Sequence, residues 1–177
     1  PERVLFLGDF FHSETNSEWD YFKRWRLDYS TLEMTLILGN HELYSAQKYE
    51  DLGLHVLPFL DCKHIRFLHD KKDNFAGLKG SQRTSESLSF GQEKTPQKLD
   101  QPIAVPIKGS ISGHLHPGIK IKGKGRQRII LPCFVEQENE LVIPAFGTFT
   151  GLHLITNKEA HIIAIAEHEL ISLRKAT

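Results

Sequence analysis

The sequence predicts a single α/β domain, spanning residues 1–177, that is built on two sheets. Strand-like segments alternate with helix-like ones as far as residue 57, which indicates a partly parallel sheet covered by helices. From residue 107 onward almost every segment is strand-like and bounded by turn residues, which indicates a second, antiparallel sheet. A chain of 177 residues is long enough to bury a sizeable core in one domain.

The chain opens with a predicted strand over residues 4–7 and a long helix. The helix starts at Asn16 or Ser17, either of which can cap its first turn, and it ends near Tyr29. Aromatic side chains recur along it at helical spacing, and we expect them to face the core rather than to stack on nucleic-acid bases. These side chains are Trp19, Phe22, Trp25 and Tyr29.

Three more strands follow in the first half. Strands at residues 34–38 and 54–57 enclose a short helix that ends near residue 52. Residues 64–70 are predicted to form the next strand, which delivers His69 at its end. This arrangement places the carboxyl ends of the parallel strands at one edge of the sheet.

The segment from residue 71 to 105 differs from the rest of the chain. It is rich in Lys, Gln, Ser and Gly and lacks a clear hydrophobic period. Because it is too long for an ordinary connection, we predict a polar insertion that is either a mobile lid or partly disordered. A short strand at residues 88–90 inside it would weaken the placement of His69 at the site.

Composition excludes several functional classes. Lys plus Arg equals Asp plus Glu at 22 each, so no overall field attracts the chain to nucleic acid or membranes, and any such binding needs a local patch. No apolar run approaches the roughly 20 residues of a membrane span. Cys62 and Cys133 lie in apolar strand contexts, which predicts reduced thiols and a cytoplasmic location.

Three short polar segments each follow an apolar run, and each is therefore predicted to be a loop at the end of a buried strand. A carboxylate, a side-chain amide and imidazoles delivered by such loops can converge at one sheet edge. Oxygen and imidazole ligands without thiolates suit Mn, Fe, Zn or Mg, which indicates a catalytic metal site. The segments are Leu7-Gly8-Asp9, Gly39-Asn40-His41-Glu42 and Gly113-His114-Leu115-His116.

The order of these motifs resembles that of the calcineurin-like metallophosphoesterase superfamily, which also has a lone His between the second and third. Further segments resemble one bacterial branch, the ligase-associated DNA-damage-response endonucleases (PdeM-type), which are related to the exonuclease SbcD. Those segments are residues 8–13, 19–25, 116–118, 123–127, 131–134 and 144–151. The resemblance implies an α/β/β/α sandwich of two facing mixed sheets flanked by helices.

The resemblance also implies a role for each motif residue. Two divalent metal ions are expected, Mn first, with Fe, Zn or Mg as alternatives. Asp9 would bridge the two ions, Asn40, His69 and His114 would complete the second metal, and His116 would bind the first. His41 would be a catalytic residue outside the ligand set that protonates the leaving alkoxide.

Two carboxylates adjoin the motif histidines. Glu42 and Asp70 are predicted to orient ligand imidazoles or else to be ordinary surface carboxylates.

One motif of the family does not occur here. Its Asp-x-His lies upstream of the Gly-Asp strand, whereas this chain opens on Pro1-Glu2-Arg3 directly before that strand. We expect that the sequence is a fragment without that motif and its strand. The alternative is a protein that has lost half of one metal site.

A predicted hairpin carries five cations at alternate positions around two glycines, which can place them on one face. They are Lys120, Lys122, Lys124, Arg126 and Arg128. Contact with a phosphate backbone and a solvated edge hairpin guarded by lysines are equally good interpretations. No residue in this segment is predicted to read bases.

The leading hypothesis is a two-metal phosphodiesterase that acts on DNA in repair, with DNA ligase or helicase partners implied by the resemblance. A phosphodiesterase or phosphatase of small nucleotides is the alternative within the enzymes. An inactive scaffold that binds protein partners is the alternative of another class. No oligomeric state is predicted.

Overall fold

The structure is a computed structural model that describes residues 1–11, 17–74, 106–147, 150–157 and 159–173. The predicted insertion therefore lies outside the described residues, except for a 3₁₀ turn at its start, Lys71–Asn74. The predicted cap at Asn16 also lies outside them, whereas Ser17 begins the helix.

The first sheet is three-stranded and wholly parallel, in the order β1-β2-β3. In register, Val4 lies opposite Met34, and Met34 lies opposite Leu54. Two helices connect the strands, so the predicted alternation is confirmed. The elements are β1 Arg3–Phe6, α1 Ser17–Asp28, β2 Glu33–Ile37, α2 Ala46–Glu50 and β3 Leu54–Leu57.

Both helices pack on one face of this sheet and form the first core. Met34 and Leu36 on β2 are fully buried there together with Phe22 of α1 and Tyr49 of α2. Thr35 and Ile37 alternate to the opposite face and are buried as well. Both faces of β2 are therefore covered, as expected for the central strand of a layered fold.

The predicted aromatic row on α1 faces the core over only part of its length. Trp19 and Phe22 pack inward. Trp25 is 38% exposed and Tyr29 51% exposed, so the prediction is wrong for these two rings. Trp25 stacks on Phe22 at 5.8 Å and Tyr29 contacts Trp25 at 5.2 Å between ring centroids, which extends the row from the core into solvent.

The second sheet has nine strands and is mixed. Its main path runs β10-β7-β8-β9-β6-β5-β4, while β11 pairs with β8 and with the edge strand β12. The strands are β4 Leu60–Cys62, β5 Ile65–Leu68, β6 Gly109–Ser112, β7 Pro117–Lys122, β8 Arg128–Gln137, β9 Glu140–Val142, β10 His153–Leu154, β11 His161–Ala166 and β12 Glu169–Leu173.

An all-antiparallel second sheet is therefore the wrong expectation. β6 runs parallel to both β5 and β9, and β10 runs parallel to β7. The long connection from β5 to β6 explains the first of these pairs, because a parallel neighbour needs a crossover of a dozen residues or more. The resemblance implied two mixed sheets. This is confirmed for the second sheet, whereas the first is wholly parallel in the described residues.

The predicted strand over residues 64–70 is shorter than expected and has a partner that the sequence analysis did not identify. A tight turn with Lys63 at φ 54° reverses the chain, so β4 pairs antiparallel with β5. Across this pair Arg66 donates to both carboxylate oxygens of Asp61 at 2.7 and 2.9 Å. The three residues of β4 are too few to show a hydrophobic period.

A second core lies against β8 and β11 and contains Cys133, Val135, Ile162 and Ala164. Both cysteines of the chain are free thiols, and burial raises the pKa of Cys133 to about 11. Among the described residues, no helix has the length and hydropathy needed to span a bilayer.

Phe22→Ala should lower the free energy of unfolding by about 3–5 kcal/mol, because it removes a buried ring and leaves a cavity among the aromatic rings of the first core. Urea unfolding followed by circular dichroism measures this. Leu27→Ala on the same helix is the matched control, since Leu27 is 75% exposed. Equal losses from both variants would contradict the assignment of the core face.

Candidate metal centre

Asp9 is delivered by a sharp turn at the end of β1. Gly8 has φ 85° and Asp9 has φ 51°, so two consecutive residues are in the left-handed region. Glycine adopts this conformation freely, and Asp tolerates it better than most residues. A Cβ on Gly8 would overlap the His69 ring and the Gly39 backbone. The turn directs the Asp9 carboxylate inward, where its side chain is only 5% exposed.

His69 lies just after β5 and joins the two sheets. Its side chain is 1% exposed, and its Nδ1 lies 2.7 Å from the backbone carbonyl oxygen of Leu7 at the end of β1. A carbonyl oxygen can only accept, so Nδ1 carries the proton and donates it. The other ring nitrogen, Nε2, therefore faces the site, as it does in an imidazole that binds a metal through Nε2.

Three atoms of other residues that could bind a metal lie around His69 Nε2. Asn40 Oδ1 lies at 3.0 Å, His114 Nδ1 at 2.8 Å and Asp9 Oδ2 at 3.3 Å. His114 Nδ1 is also 3.9 Å from Asp9 Oδ2. The structure thus brings together four of the five residues predicted as metal ligands, from the ends of β1, β2, β5 and β6.

This donor set fits a divalent cation. Ligand atoms of Asp9, His69 and His114 all lie within 4.8 Å of one another, and the Asn40 oxygen joins them. The carboxylate oxygen of Asp9 and the amide oxygen of Asn40 both carry lone pairs that a bound cation would accept. Carboxylate, amide and imidazole together suit Mn, Fe or Zn.

His116 is the fifth predicted ligand, and it does not belong to that group of three. It lies directly before β7 with φ 47°, again in the left-handed region. Its N–H donates to the Gly113 carbonyl at 3.4 Å, and its own carbonyl accepts from His153 at 2.9 Å. These bonds hold the strained backbone of the loop, while the role of His116 as a ligand of the other metal stays a prediction.

His41 contributes its backbone to the site and places its ring at the rim. The His41 N–H donates to Asp9 Oδ1 at 3.0 Å, which leaves Oδ2 turned toward His69. Its ring lies nearly parallel to that of His114, with 6.5 Å between centroids and 14° between planes. The ring is therefore beside the ligand atoms and solvent-accessible, a position that suits a proton donor.

The two carboxylates predicted to orient imidazoles differ in their contacts. Asp70 Oδ2 lies 3.8 Å from His114 Nε2, a distance longer than a hydrogen bond. Glu42 accepts from the Phe10 N–H at 3.1 Å and the Tyr49 hydroxyl at 2.6 Å, and within the described residues it has no hydrogen bond to an imidazole. Glu42 therefore ties the loops after β1 and β2 to α2.

Tyr49 is a supporting residue that sequence reasoning missed. Its ring is fully buried, and its hydroxyl donates to Glu42. Burial, with the Glu42 hydrogen bond second, raises the pKa of Tyr49 far above its usual value. The hydroxyl is thus always protonated and always a donor. Its position on a short helix gave no signal of this contact.

Lys122, Lys124 and Arg126 do not belong to the centre. They lie at the far end of the β7–β8 hairpin, which begins directly after His116. Six residues of strand separate Lys122 from His116, a span of up to about 20 Å.

The fold is shared with a protein of known structure. The chain is similar to the crystal structure of Pseudomonas putida nuclease MPE, with 23% sequence identity and a TM-score of 0.63 over 97% of this chain and 71% of that chain. The predicted α/β fold class is thereby confirmed. No family model and no curated protein matches the sequence.

Gly39→Ala should weaken metal binding, because a Cβ at position 39 would overlap the carboxylate and backbone of Asp9. Loss of a support for a ligand lowers metal affinity by about 10–100-fold. Titration calorimetry with Mn²⁺ measures the change.

Gly151→Ala is the control for this substitution, since nothing lies within 4 Å of a Cβ there. Unchanged Mn²⁺ affinity in Gly39→Ala would show that the close contact between Gly39 and Asp9 does not determine the position of the Asp9 carboxylate.

Proposed function

We propose that this protein is a metal-dependent phosphodiesterase that cleaves DNA. The observation that carries the proposal is the convergence of Asp9 Oδ2, Asn40 Oδ1 and His114 Nδ1 on His69 Nε2 within 3.3 Å. The nuclease of Pseudomonas putida that shares the fold supports the choice of reaction class. The order of the motifs supports membership of the metallophosphoesterase superfamily and its ligase-associated endonuclease branch.

Within this proposal, the centre would hold two Mn ions. Asp9 would be shared between them, Asn40, His69 and His114 would hold the second ion, and His116 would hold the first. When bound, such a pair lowers the pKa of a water molecule and stabilises the charge of in-line displacement at phosphorus.

The residues of the chain prepare the site for this chemistry. The Leu7 carbonyl fixes the tautomer of His69, so that Nε2 is the ligand atom without any rearrangement. The His41 N–H holds one oxygen of Asp9 and leaves the other for the metals. The His41 ring, at the solvent-accessible rim, gives a proton to the leaving alkoxide of the broken phosphodiester.

We also propose a cytoplasmic role in DNA repair, with a DNA ligase or helicase as partner. The resemblance to the ligase-associated endonucleases supports the partners. The two free thiols support a reducing compartment, because secreted proteins tend to use such residues in disulfides.

Hydrolysis of bis(p-nitrophenyl) phosphate and of plasmid DNA by full-length protein with Mn²⁺ tests the proposal. We expect both reactions to occur and to stop when a chelator removes the metal. Cyclic nucleotides are added as competitors of DNA cleavage. If the protein hydrolysed cyclic nucleotides and left the plasmid intact, the substrate would be a small nucleotide and not DNA. If it hydrolysed none of these compounds, the result would favour an inactive scaffold.

His41→Ala should lower kcat for the model diester by about 10²–10⁴-fold and leave Mn²⁺ binding nearly unchanged, because a general acid acts on the leaving group and not on the metal. Stopped assays together with metal analysis separate these two effects.

Asp9→Asn is the comparison, and it should lose metal and activity together, since it removes a negative ligand. If His41→Ala lost metal as fully as Asp9→Asn does, His41 would be a ligand and the role proposed for it would be wrong.

A further inference from the structure

Positive charge is concentrated in one part of this electrically neutral chain. Residues 108–135 contain six Lys or Arg residues and no Asp or Glu. Five of the six fall within nine residues of the β7–β8 hairpin. We call residues 120–130 the basic ribbon; its cations are Lys120, Lys122, Lys124, Arg126 and Arg128.

The strand pairing settles which cations share a face. Lys120 lies opposite Ile130 and Lys122 opposite Arg128, so Lys120, Lys122 and Arg128 project from the same side. Lys124 and Arg126 lie in the turn, where Gly125 and Arg126 have φ of 66° and 68° and the alternation of the strands is interrupted. The prediction of one cationic face therefore holds for the strands and not for the turn.

The basic ribbon projects from the body of the protein. At its root Ile119 and Leu131 pack on the second core. Toward its tip Ile129 is 53% exposed and Ile130 46% exposed, although these neighbours face opposite sides. None of the five cations makes an ion pair with another residue in the described part of the chain.

We propose that the basic ribbon binds the phosphate backbone of duplex DNA about six base pairs from the scissile bond. This inference rests on the proposed function. Cations on alternate residues are about 6.6 Å apart, so each can meet a different phosphate. The distance of up to about 20 Å from His116 to Lys122 corresponds to about six steps of 3.4 Å rise.

The geometry favours a stiff polymer over other substrates. A small nucleotide at the metal centre is shorter than the span of up to about 20 Å from His116 to Lys122. A duplex is nearly straight over this length, because its persistence length is about 50 nm, so a contact at the ribbon also fixes the strand at the centre. Two-stranded ribbons also fit the width of the major groove.

Lysines also protect exposed strand edges from pairing, and this is the competing explanation. The test is binding of a fluorescent duplex of about 20 base pairs to protein in chelator, where no cleavage occurs, between about 50 and 200 mM salt. The variant K122A/K124A/R126A removes three cations. K23A/R24A/K108A removes three elsewhere, and K122R/K124R/R126K keeps all three charges.

We expect the ribbon variant to reduce the log–log salt slope by about 2.7, since each lost contact on duplex DNA removes about 0.9. Affinity at about 100 mM salt should fall at least tenfold. Both control variants should bind like wild type, with unchanged circular dichroism in all four proteins.

A wild-type slope in the ribbon variant, or an equal loss in K23A/R24A/K108A, would overturn the proposal. A larger loss for a single strand than for the duplex would overturn the choice of duplex. Hydrolysis of bis(p-nitrophenyl) phosphate separates this result from the proposed function: the ribbon variant should retain it in full. If the wild-type protein hydrolysed no diester but bound duplex through the ribbon, the proposed enzymatic function would be refuted and the proposed duplex binding would stand.

Discussion

A single buried imidazole connects the two sheets at the point where the site forms. The hydrogen bond from His69 to the Leu7 carbonyl links the end of β5 to the end of β1, and Nε2 meets Asn40 from the end of β2. The fold therefore orients Nε2 of His69 toward the site, and atoms of Asn40, Asp9 and His114 lie around it.

The site also depends on backbone strain at two of its loops. Asp9 and His116 both have positive φ, which costs a residue other than glycine of order 1–3 kcal/mol. Neighbouring hydrogen bonds offset this cost: His41 donates to the Asp9 side chain, and Gly113 and His153 bond the backbone of His116. Both loops follow a short strand whose residues are committed to a sheet. The strain thus lies at Asp9, whose carboxylate faces the site, and at His116, whose role as a ligand stays a prediction.

The sequence predicted the positions of these loops well, because each motif directly follows an apolar strand. The strands that precede the site residues pair in parallel, β1 with β2 and β5 with β6, so their carboxyl ends lie at the same edge of each sheet. It did not predict β4, whose three residues are too short for a period. For Glu42 it offered two roles, orienting an imidazole or being a surface carboxylate, and it did not predict the hydrogen bonds from Phe10 and Tyr49. Such contacts depend on how α2 packs on the first sheet, which no local pattern records. The exposure of Trp25 is of the same kind, since periodicity shows which side a residue faces and not how far the core extends.

Under the two proposals, the metal centre and the basic ribbon have different roles. The centre would act on a phosphodiester, whose chemistry is the same in a dinucleotide and in a chromosome. The ribbon would add a positive potential that extends over several phosphates. Salt screens this potential within about one Debye length, about 8 Å at physiological salt. The chain has no net charge that would add a longer-range field. The proposed ribbon would therefore act by contact and not by long-range steering, and it would favour polymers whose backbone reaches both the ribbon and the centre.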